Sequence, residues 1–584
     1  MNVAASEHLS CDLLVIGSGA GGLSAAVTAA WLGLDVIVVE KSEFIGGTTA
    51  WSGGWMWVPR NPLAQRANIV ERIEAPRNYL RHELGDGYDE ALVGAFLEQG
   101  PNMVHFFERN TELQFVAGNT IPDFHGHTPD AAEGGRSICA APYDGSKLGG
   151  SLSRLRKPLE LIAPFGMGIG SGADLQHFLK STRNVRSLLH VARRLVRHWL
   201  DVVRHGRGLH LVNGNALAAR LLKSADDLGV RIFTSSAAES LIVEKGVVRG
   251  AAVATVEGAK FAIMASRGVV LAAGGFPHDV ARKAMLFDHA PTGREHFSAA
   301  VPTDTGDGIR LGEAAGGAFR DDLAHAGAWA PVSLVPNADG STGHFPHLLE
   351  RAKPGCIMVR ADGCRFANEA DSYHDVMNAL FHATPRGAAA ECWIVCDHMF
   401  IRRYGLGRVR PRPFPLRPWL ARGYLHRGHT LEALARSCGV DPHGLADTVE
   451  QFNRDARQGL DTAFGRGDTP YNRMQGDEDQ RPNPCVAPIG RGPFYAIRIV
   501  PGSLCTFAGL KTDPSARVLR ADDKPVEGLY AVGNDMASVM AGSYPAGGIT
   551  LGPAMTFGYI AAHHASGVPL DNNQKLNRES EHAL

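Results

Sequence analysis

The chain has 584 residues, enough for two or more domains around a large core. Its 59 basic and 60 acidic residues leave a net charge of −1, so no global attraction to nucleic acid or to an anionic surface is implied. No run of 18 apolar residues spans a bilayer, and the first residues lack the basic, apolar, small-residue order of a signal peptide.

The nine cysteines are scattered and none has zinc-ligand spacing, which reads as the reduced thiols of a cytoplasmic protein. The 25 histidines include no pair spaced for a metal on an apolar helix, so no metal site is expected. Glycine is abundant at 68 residues, while no tract is of low complexity; backbone making room for a cofactor accounts for both.

The chain opens with the apolar run Asp12–Ile16, the turn Gly17-Ser18-Gly19-Ala20-Gly21-Gly22, a small-residue helix over 23–32, and a second apolar run, Asp35–Val39, ending at Glu40. Strand, glycine turn, helix, strand and acid in this order form a dinucleotide-binding βαβ unit. Gly17 allows the tight turn. Gly19 admits a pyrophosphate beside the helix N-terminus, and Gly22 lets helix and strand pack closely. Glu40 is placed to accept from ribose hydroxyls. Lys41 follows, then Gly46-Gly47-Thr48-Thr49 and Trp51-Ser52-Gly53-Gly54, two more glycine turns suited to a long cofactor lying along the backbone.

Residues 183–207 carry seven arginines against Asp201, with Leu188, Leu189, Leu195, Val196, Trp199 and Leu200 at helical spacing. The first reading is the solvated face of an ordinary helix. The second is a basic amphipathic helix lying on an anionic membrane, holding the protein at the inner face. A helix is expected within 206–222, and strands over 230–233, 240–243 and 247–253. An apolar strand then runs into Ala272-Ala273-Gly274-Gly275. Thr303–Gly308 reads as a helix-capping turn, so Asp304 and Asp307 are assigned no chemistry.

Residues from about 300 to 490 differ in composition. Strands are expected at 356–359 and 393–396, an Arg/Pro-rich loop at 402–417, and helices at 430–434 and from Asp441-Pro442, with Asp441 as N-cap. Near the end, a strand closes in Gly533-Asn534-Asp535, and Tyr544-Pro545-Ala546-Gly547-Gly548 leads past Leu551 into a small-residue helix over 553–565. Residues from about 571 are polar and read as frayed. The expected fold is α/β: a Rossmann-like dinucleotide domain over 1–298 and 490–584, with an α+β capping domain inserted at 299–489.

The three glycine turns resemble the FAD-binding start of the fumarate reductase/succinate dehydrogenase flavoprotein family. The resemblance implies FAD as cofactor, held noncovalently, because Thr48 and Thr49 stand where covalent members carry His. It also places Ala238 at the adenine, Gly274 facing the flavin, and Asn534, Gly548 and Leu551 at the cofactor's C-terminal side. The dicarboxylate-binding His and Arg of the reductases are replaced by Leu504, Cys505 and Tyr544. That exchange is similar to the 3-ketosteroid dehydrogenase branch, as are Asn368–Tyr373, Gly492–Ala496 and Tyr544–Met555. The resemblance implies that Tyr544 and the Gly548 amide donate to a ketone oxygen, that Tyr373 removes the neighbouring proton, and that hydride passes to flavin.

The implied reaction is α,β-dehydrogenation of a cyclic ketone, most readily a 3-ketosteroid at C1–C2, with C4–C5 open. The alternatives are a non-steroid cyclic ketone, an enone reductase running the other way, and a flavin-binding redox sensor. No second dinucleotide fingerprint for NAD(P) is present, which points to a quinone or another carrier as acceptor. Where the branch has a further Tyr beside the base, this chain has Phe124. His125 or Tyr143 fills that role, or the base is assisted differently.

Overall fold

The computed structural model describes residues 8–181 and 183–570. In chain order its principal elements are β1 (His8–Ile16), α1 (Ala20–Trp31), β2 (Val36–Val39), α2 (Val185–His205), α3 (Asn213–Asp227), β3 (Arg231–Phe233), β4 (Ser236–Glu244), β5 (Val247–Thr255), β6 (Lys260–Leu271) and α4 (Asp307–Ala314). There follow β7 (Gly327–Pro336), β8 (Thr342–Pro346), β9 (Cys356–Val359), α5 (Tyr373–Ala383), β10 (Cys392–Cys396), β11 (His426–Gly428), β12 (Phe494–Thr506), β13 (Arg517–Leu519), β14 (Pro525–Ala531) and α6 (Leu551–Ser566).

The first layer is an eight-stranded sheet ordered β13-β14-β6-β1-β2-β3, with β5 and then β4 branching from β6. Its centre, β14-β6-β1-β2-β3, is parallel. Parallel strands are covered on both faces, and Val36–Val39 is accordingly apolar and buried throughout. Helices α1 and α6 pack together, so closely that a Cβ on Gly558 would stand 2.5 Å from the Gly21 carbonyl. The second layer is antiparallel, ordered β8-β7-β12-β10-β9, with β11 on β12.

Two expectations change. The chain does not re-enter the first layer at 490: Phe494–Thr506 is the central strand of the second sheet, pairing with both β7 and β10. Apolar patterning marks a buried strand without saying which sheet receives it. The helix expected within 206–222 is present and starts at Asn213, since Gly206, with φ +72°, closes α2 as its left-handed C-cap. Asp304 and Asp307 do not cap α4. Gly306 holds the N-cap position with φ +79°, and Asp307 is the first helical residue, ion-paired with Lys41 and Arg310. The cap expected at Asp441 holds, accepting from His443 and Gly444 N–H, and Thr430 likewise caps the helix before it by accepting from Ala433 N–H. The polar tail from Asp571 lies outside the described residues.

Candidate active site

One cavity of about 1740 Å³ runs from the glycine turns after β1 and β2, past Gly274 and Asn534, to the phenols of Tyr373 and Tyr544. A single small ligand usually occupies ~300–1,000 Å³, so this volume suits two ligands end to end.

The cofactor end is built from backbone. Gly17 has φ +110°, and a Cβ there would lie 2.2 Å from the Ala272 carbonyl oxygen, so only glycine lets β1 and β6 meet. Gly22 packs against that turn, where a Cβ would stand 2.1 Å from Gly17 O; it is a packing residue outside the cavity lining. Gly19 and Gly47 differ, since added Cβ atoms would meet nothing nearer than 3.7 Å and 3.8 Å. Packing does not require glycine at either position, although Gly47, at φ +47°, has a left-handed backbone that favours it. The space they leave is cavity, which fits a bound chain of phosphates at the N-terminus of α1.

The turns are tied to one another. Ser18 donates through its N–H (3.0 Å) and hydroxyl (2.6 Å) to Glu40 Oε2, while Ser42 N–H donates to Oε1 at 2.8 Å. Gly46 N–H donates to Ser18 Oγ at 3.1 Å, and Ala20 N–H to Thr49 Oγ1 at 3.0 Å. Thr48 donates to buried Asp304 at 2.7 Å and accepts from Val301 N–H at 2.9 Å. Asp304, left without a role by the sequence, thus lines the cavity, and burial raises its pKa. Ser52 fixes the third turn by donating to Thr49 O (2.8 Å) and accepting from Gly54 N–H (3.1 Å). Asp535 accepts from Ala273 N–H (2.5 Å) and Gly275 N–H (3.0 Å), bracketing Gly274; burial lifts its pKa to about 6 against those two donors. Lys41, Gly53, Ala238, Asn534 and Leu551 also line this end.

At the other end, Tyr373 is the first residue of α5, whose N-cap Ser372 accepts from Asp375 N–H at 3.1 Å. The loop before it is anchored twice. Glu369 is buried between Arg365 (2.6 Å) and Arg466 (3.1 Å), and Arg351 donates to the carbonyls of Glu369 (2.5 Å) and Asp371 (2.8 Å). Tyr544 lies on the strap before α6, where Pro545 O accepts from the Tyr79 hydroxyl (2.7 Å) and Phe124 N–H (2.9 Å). Gly548 sits at φ +101°, and a Cβ there would lie 2.6 Å from Trp55 O. Its carbonyl accepts from Trp57 N–H at 3.0 Å, whereas its N–H makes no hydrogen bond among the described residues.

The rings of Tyr373 and Tyr544 stand edge to face, with centroids 5.0 Å apart. Phe124 stacks on Tyr544 (5.7 Å, 10°) and meets Tyr373 edge-on at 5.8 Å, so this position does enter the site and carries no hydroxyl. Neither residue weighed as its substitute fits. His125 is held by Glu83 and by Asp375 (2.7 Å), and Tyr143 lies away under Arg220. A third phenol that sequence reasoning missed, Tyr471, packs on Phe124 at 4.3 Å and lines the cavity. The run Thr469-Pro470-Tyr471 signals a helix start and nothing more.

Burial raises Tyr373 well above the ordinary phenol range, and the neighbouring Tyr544 raises it further, while the Arg351 charge pulls it down. Tyr544 is raised by burial, partly offset by the neighbouring Tyr373. Tyr471 is raised by burial and lowered by Arg351. The Cys505 thiol is pushed up to about 12 by burial, so Leu504 and Cys505 contribute no charge. The outer walls are apolar, with Leu159, Ile162, Leu175, Leu179, Phe345 and Leu348. Cations near them are engaged: His190 (2.7 Å) and Arg194 (3.4 Å) with Asp174, and Lys353 Nζ with the carbonyls of Gln475 (2.6 Å) and Gly476 (2.7 Å).

Residues 12–551 match the FAD_binding_2 family, described as an FAD binding domain. The chain is 39% identical to a 4-oxocyclohex-2-ene-1-carboxylate 5-dehydrogenase of Sinomonas cyclohexanicum, over 96% of this chain and 94% of that protein. It is 35% identical to a 3-oxosteroid 1-dehydrogenase of Mycolicibacterium smegmatis, over 94% and 96%. Among solved structures it is similar to the 3-ketosteroid Δ1-dehydrogenase of Sterolibacterium denitrificans in complex with 1,4-androstadiene-3,17-dione. The TM-score is 0.88 at 36% identity, covering 96% of this chain and all of that one.

Proposed function

The chain belongs to the FAD_binding_2 family and is an FAD-dependent oxidoreductase of CH–CH groups beside the ketone of a cyclic ketone; on that premise we propose that it desaturates an apolar polycyclic ketone, a 3-ketosteroid, at C1–C2. The observation that carries the substrate class is the apolar outer cavity, whose nearby cations are already engaged by carboxylates or carbonyls. A carboxylate-bearing substrate would have to compete with those carboxylates and carbonyls for a cation.

A hydrogen beside a ketone is too weakly acidic to be removed at neutral pH unless the developing enolate is stabilised. Tyr544 O–H and Gly548 N–H are the two donors we assign to that oxygen, fixed by the Pro545 anchor and by the left-handed turn at Gly548. Tyr373, as phenolate, takes the proton from the α-carbon. FAD, when bound, accepts the hydride from the β-carbon, so substrate loses two hydrogens and gains one C=C bond. Tyr471 takes the assisting place that Phe124 leaves without a hydroxyl, and Arg351 stabilises negative charge on either phenol.

At the cofactor end, Gly17–Gly21, Glu40, Lys41, Gly47–Thr49, Ser52, Gly53, Ala238, Gly274, Asn534 and Leu551 line the space assigned to FAD. With Thr48 and Thr49 hydroxyls already in protein hydrogen bonds, binding is noncovalent. A quinone or similar carrier as acceptor rests on the lack of a second dinucleotide fingerprint in the sequence.

The test is anaerobic. Purified yellow protein is mixed with 4-androstene-3,17-dione, its 5α-saturated relative or 4-oxocyclohexanecarboxylate, flavin absorbance is followed, and the product is identified by mass. Bleaching by a steroid with loss of two hydrogens is expected, and the product gives the bond oxidised. Bleaching by the carboxylate alone would overturn the steroid assignment. No bleaching by any of the three, in protein reducible by dithionite, would overturn the desaturase reading of this site.

A further inference from the structure

Helix α2 is turned the opposite way from an ordinary surface helix. Its inward side carries the buried Ser187 and His198, together with His190, Arg194 and Asp201. Its outward side is apolar. Val185, Leu188, Leu189, Val196, Trp199, Leu200 and Val203 recur at three- and four-residue spacing and are all exposed, Val185 at 73% and Val203 at 82%. Along one border of this stripe run the exposed arginines 186, 193, 197 and 204. The helix contains one acidic residue, Asp201, which accepts from Leu209 N–H at 3.1 Å on the inner side. Exposed Phe165 extends the patch, its ring 6.0 Å from Trp199.

The solvated-face expectation for 183–207 therefore describes only the arginine border, since a full apolar stripe meets solvent beside it. Soluble proteins rarely expose a large contiguous apolar patch without a partner. The patch also adjoins the cavity: Ile162 is both exposed at 45% and part of the outer wall, and His190 and Arg194 reach the cavity from the inner side of α2.

We propose that the outward face of α2, with Ile162 and Phe165 beside it, docks on an anionic lipid surface and opens the cavity toward the bilayer. An apolar stripe bordered by arginines is what an interfacial helix presents, with side chains entering the acyl boundary and guanidinium groups meeting lipid phosphates. A second copy of the chain fits less well. A twofold contact through this face would bring the two arginine rows together with no acidic row to answer them. Delivery of a ketone from the bilayer rests on the substrate reading above; the docking itself does not.

The test is flotation of the FAD-loaded protein with extruded vesicles, either phosphatidylcholine alone or phosphatidylcholine with phosphatidylglycerol. The wild type is expected to float with the anionic vesicles and to be released by high salt. Leu189→Ser/Val196→Ser/Val203→Ser should abolish flotation. Arg186→Gln/Arg193→Gln/Arg204→Gln should weaken it roughly fivefold per arginine, on the order of a hundredfold together. Both variants should keep their flavin content and their bleaching by detergent-dispersed ketone, which separates loss of docking from loss of fold. Failure of wild type to float with anionic vesicles, or unchanged flotation of the serine variant, would overturn the proposal. So would a stable dimer in vesicle-free buffer that the serine variant dissociates, because the face would then be an interface between copies. None of these outcomes depends on which ketone is turned over.

Discussion

Tyr544→Phe removes one oxygen from a packed cluster and leaves the ring in place against Phe124, Tyr373 and Phe507. The ring packing is kept, so the cost in stability should be no more than about 1 kcal/mol. The cost in catalysis is that of a donor to the ketone oxygen, ~10²–10³ in kcat/KM, or about 2.7–4 kcal/mol. Burial is the main reason that Tyr373 is a weak acid. Burial also keeps Tyr544 protonated across the assay range, so deleting its hydroxyl removes no charge from beside Tyr373, and the alkaline rise of kcat/KM should keep its place while its height falls. The assay is steady-state oxidation of the ketone with an artificial acceptor between pH 6 and 10.5. A loss below about tenfold would refute the assignment of Tyr544 as donor to the ketone oxygen.

Tyr373→Phe should lose ~10²–10⁴ in kcat/KM with full FAD content and unchanged dithionite reduction; equal loss of flavin would make the residue structural. Tyr471→Phe should displace the alkaline rise while retaining its height to within about tenfold, and an unmoved profile would leave Tyr471 as packing alone. His125 provides a stability prediction. Burial alone would lower its pKa, yet hydrogen bonds to Asp375 and Glu83 and their charges lift it to about 10. The contribution of this imidazolium is complete below its ordinary value near 6.5 and is lost as pH rises to about 10. Melting temperature should decline over that window in the wild type. In His125→Gln it should be lower at pH 6 and the decline should flatten, as scanning calorimetry would show.

The sequence was most legible where structure is local. The βαβ unit needs only β1, α1, β2 and the glycines between them, and the turn at Gly17 is demanded by the Ala272 backbone, two residues from Gly274. The strap Tyr544–Gly548 and the loop 368–373 were likewise visible as motifs. Relations across the chain were not. Tyr471 reaches Phe124 through the packing of two layers, and no spacing encodes that meeting. Strand Phe494–Thr506 reads as buried in either layer. Helix α2 shows an apolar stripe and an arginine row in one dimension, but only its contacts decide that the stripe faces outward. Asp304 resembled a cap because acids so often cap helices; Gly306 took that position and left the carboxyl to Thr48.

Arg351 brings together the fold and the chemistry of the base. It is fully buried, and its partners are carbonyl oxygens: His347 (3.0 Å), Glu369 (2.5 Å), Asp371 (2.8 Å) and Leu348 (3.5 Å). No carboxylate pairs with it among the described residues, so its positive charge is solvated by dipoles and still felt by Tyr373 and Tyr471, both of which it lowers. Two raised phenols beside a guanidinium that no carboxylate ion-pairs form a site in which the Arg351 charge works against burial, and on Tyr471 against the nearby Asp375 and Asp371. Arg351→Met removes that charge and leaves carbonyls unpaired, at ~1–3 kcal/mol each. The variant should melt lower, and in the fraction that stays folded the alkaline rise should move to higher pH, with activity at pH 7 falling. Arg351→Lys keeps the charge but loses the fork of donors, so it should return the rise toward the wild-type pH while leaving part of the melting deficit. If Arg351→Met lowers the melting temperature without moving the rise, or if Arg351→Lys fails to restore it, Arg351 only anchors the loop before Tyr373. The phenols would then acquire their basicity from elsewhere.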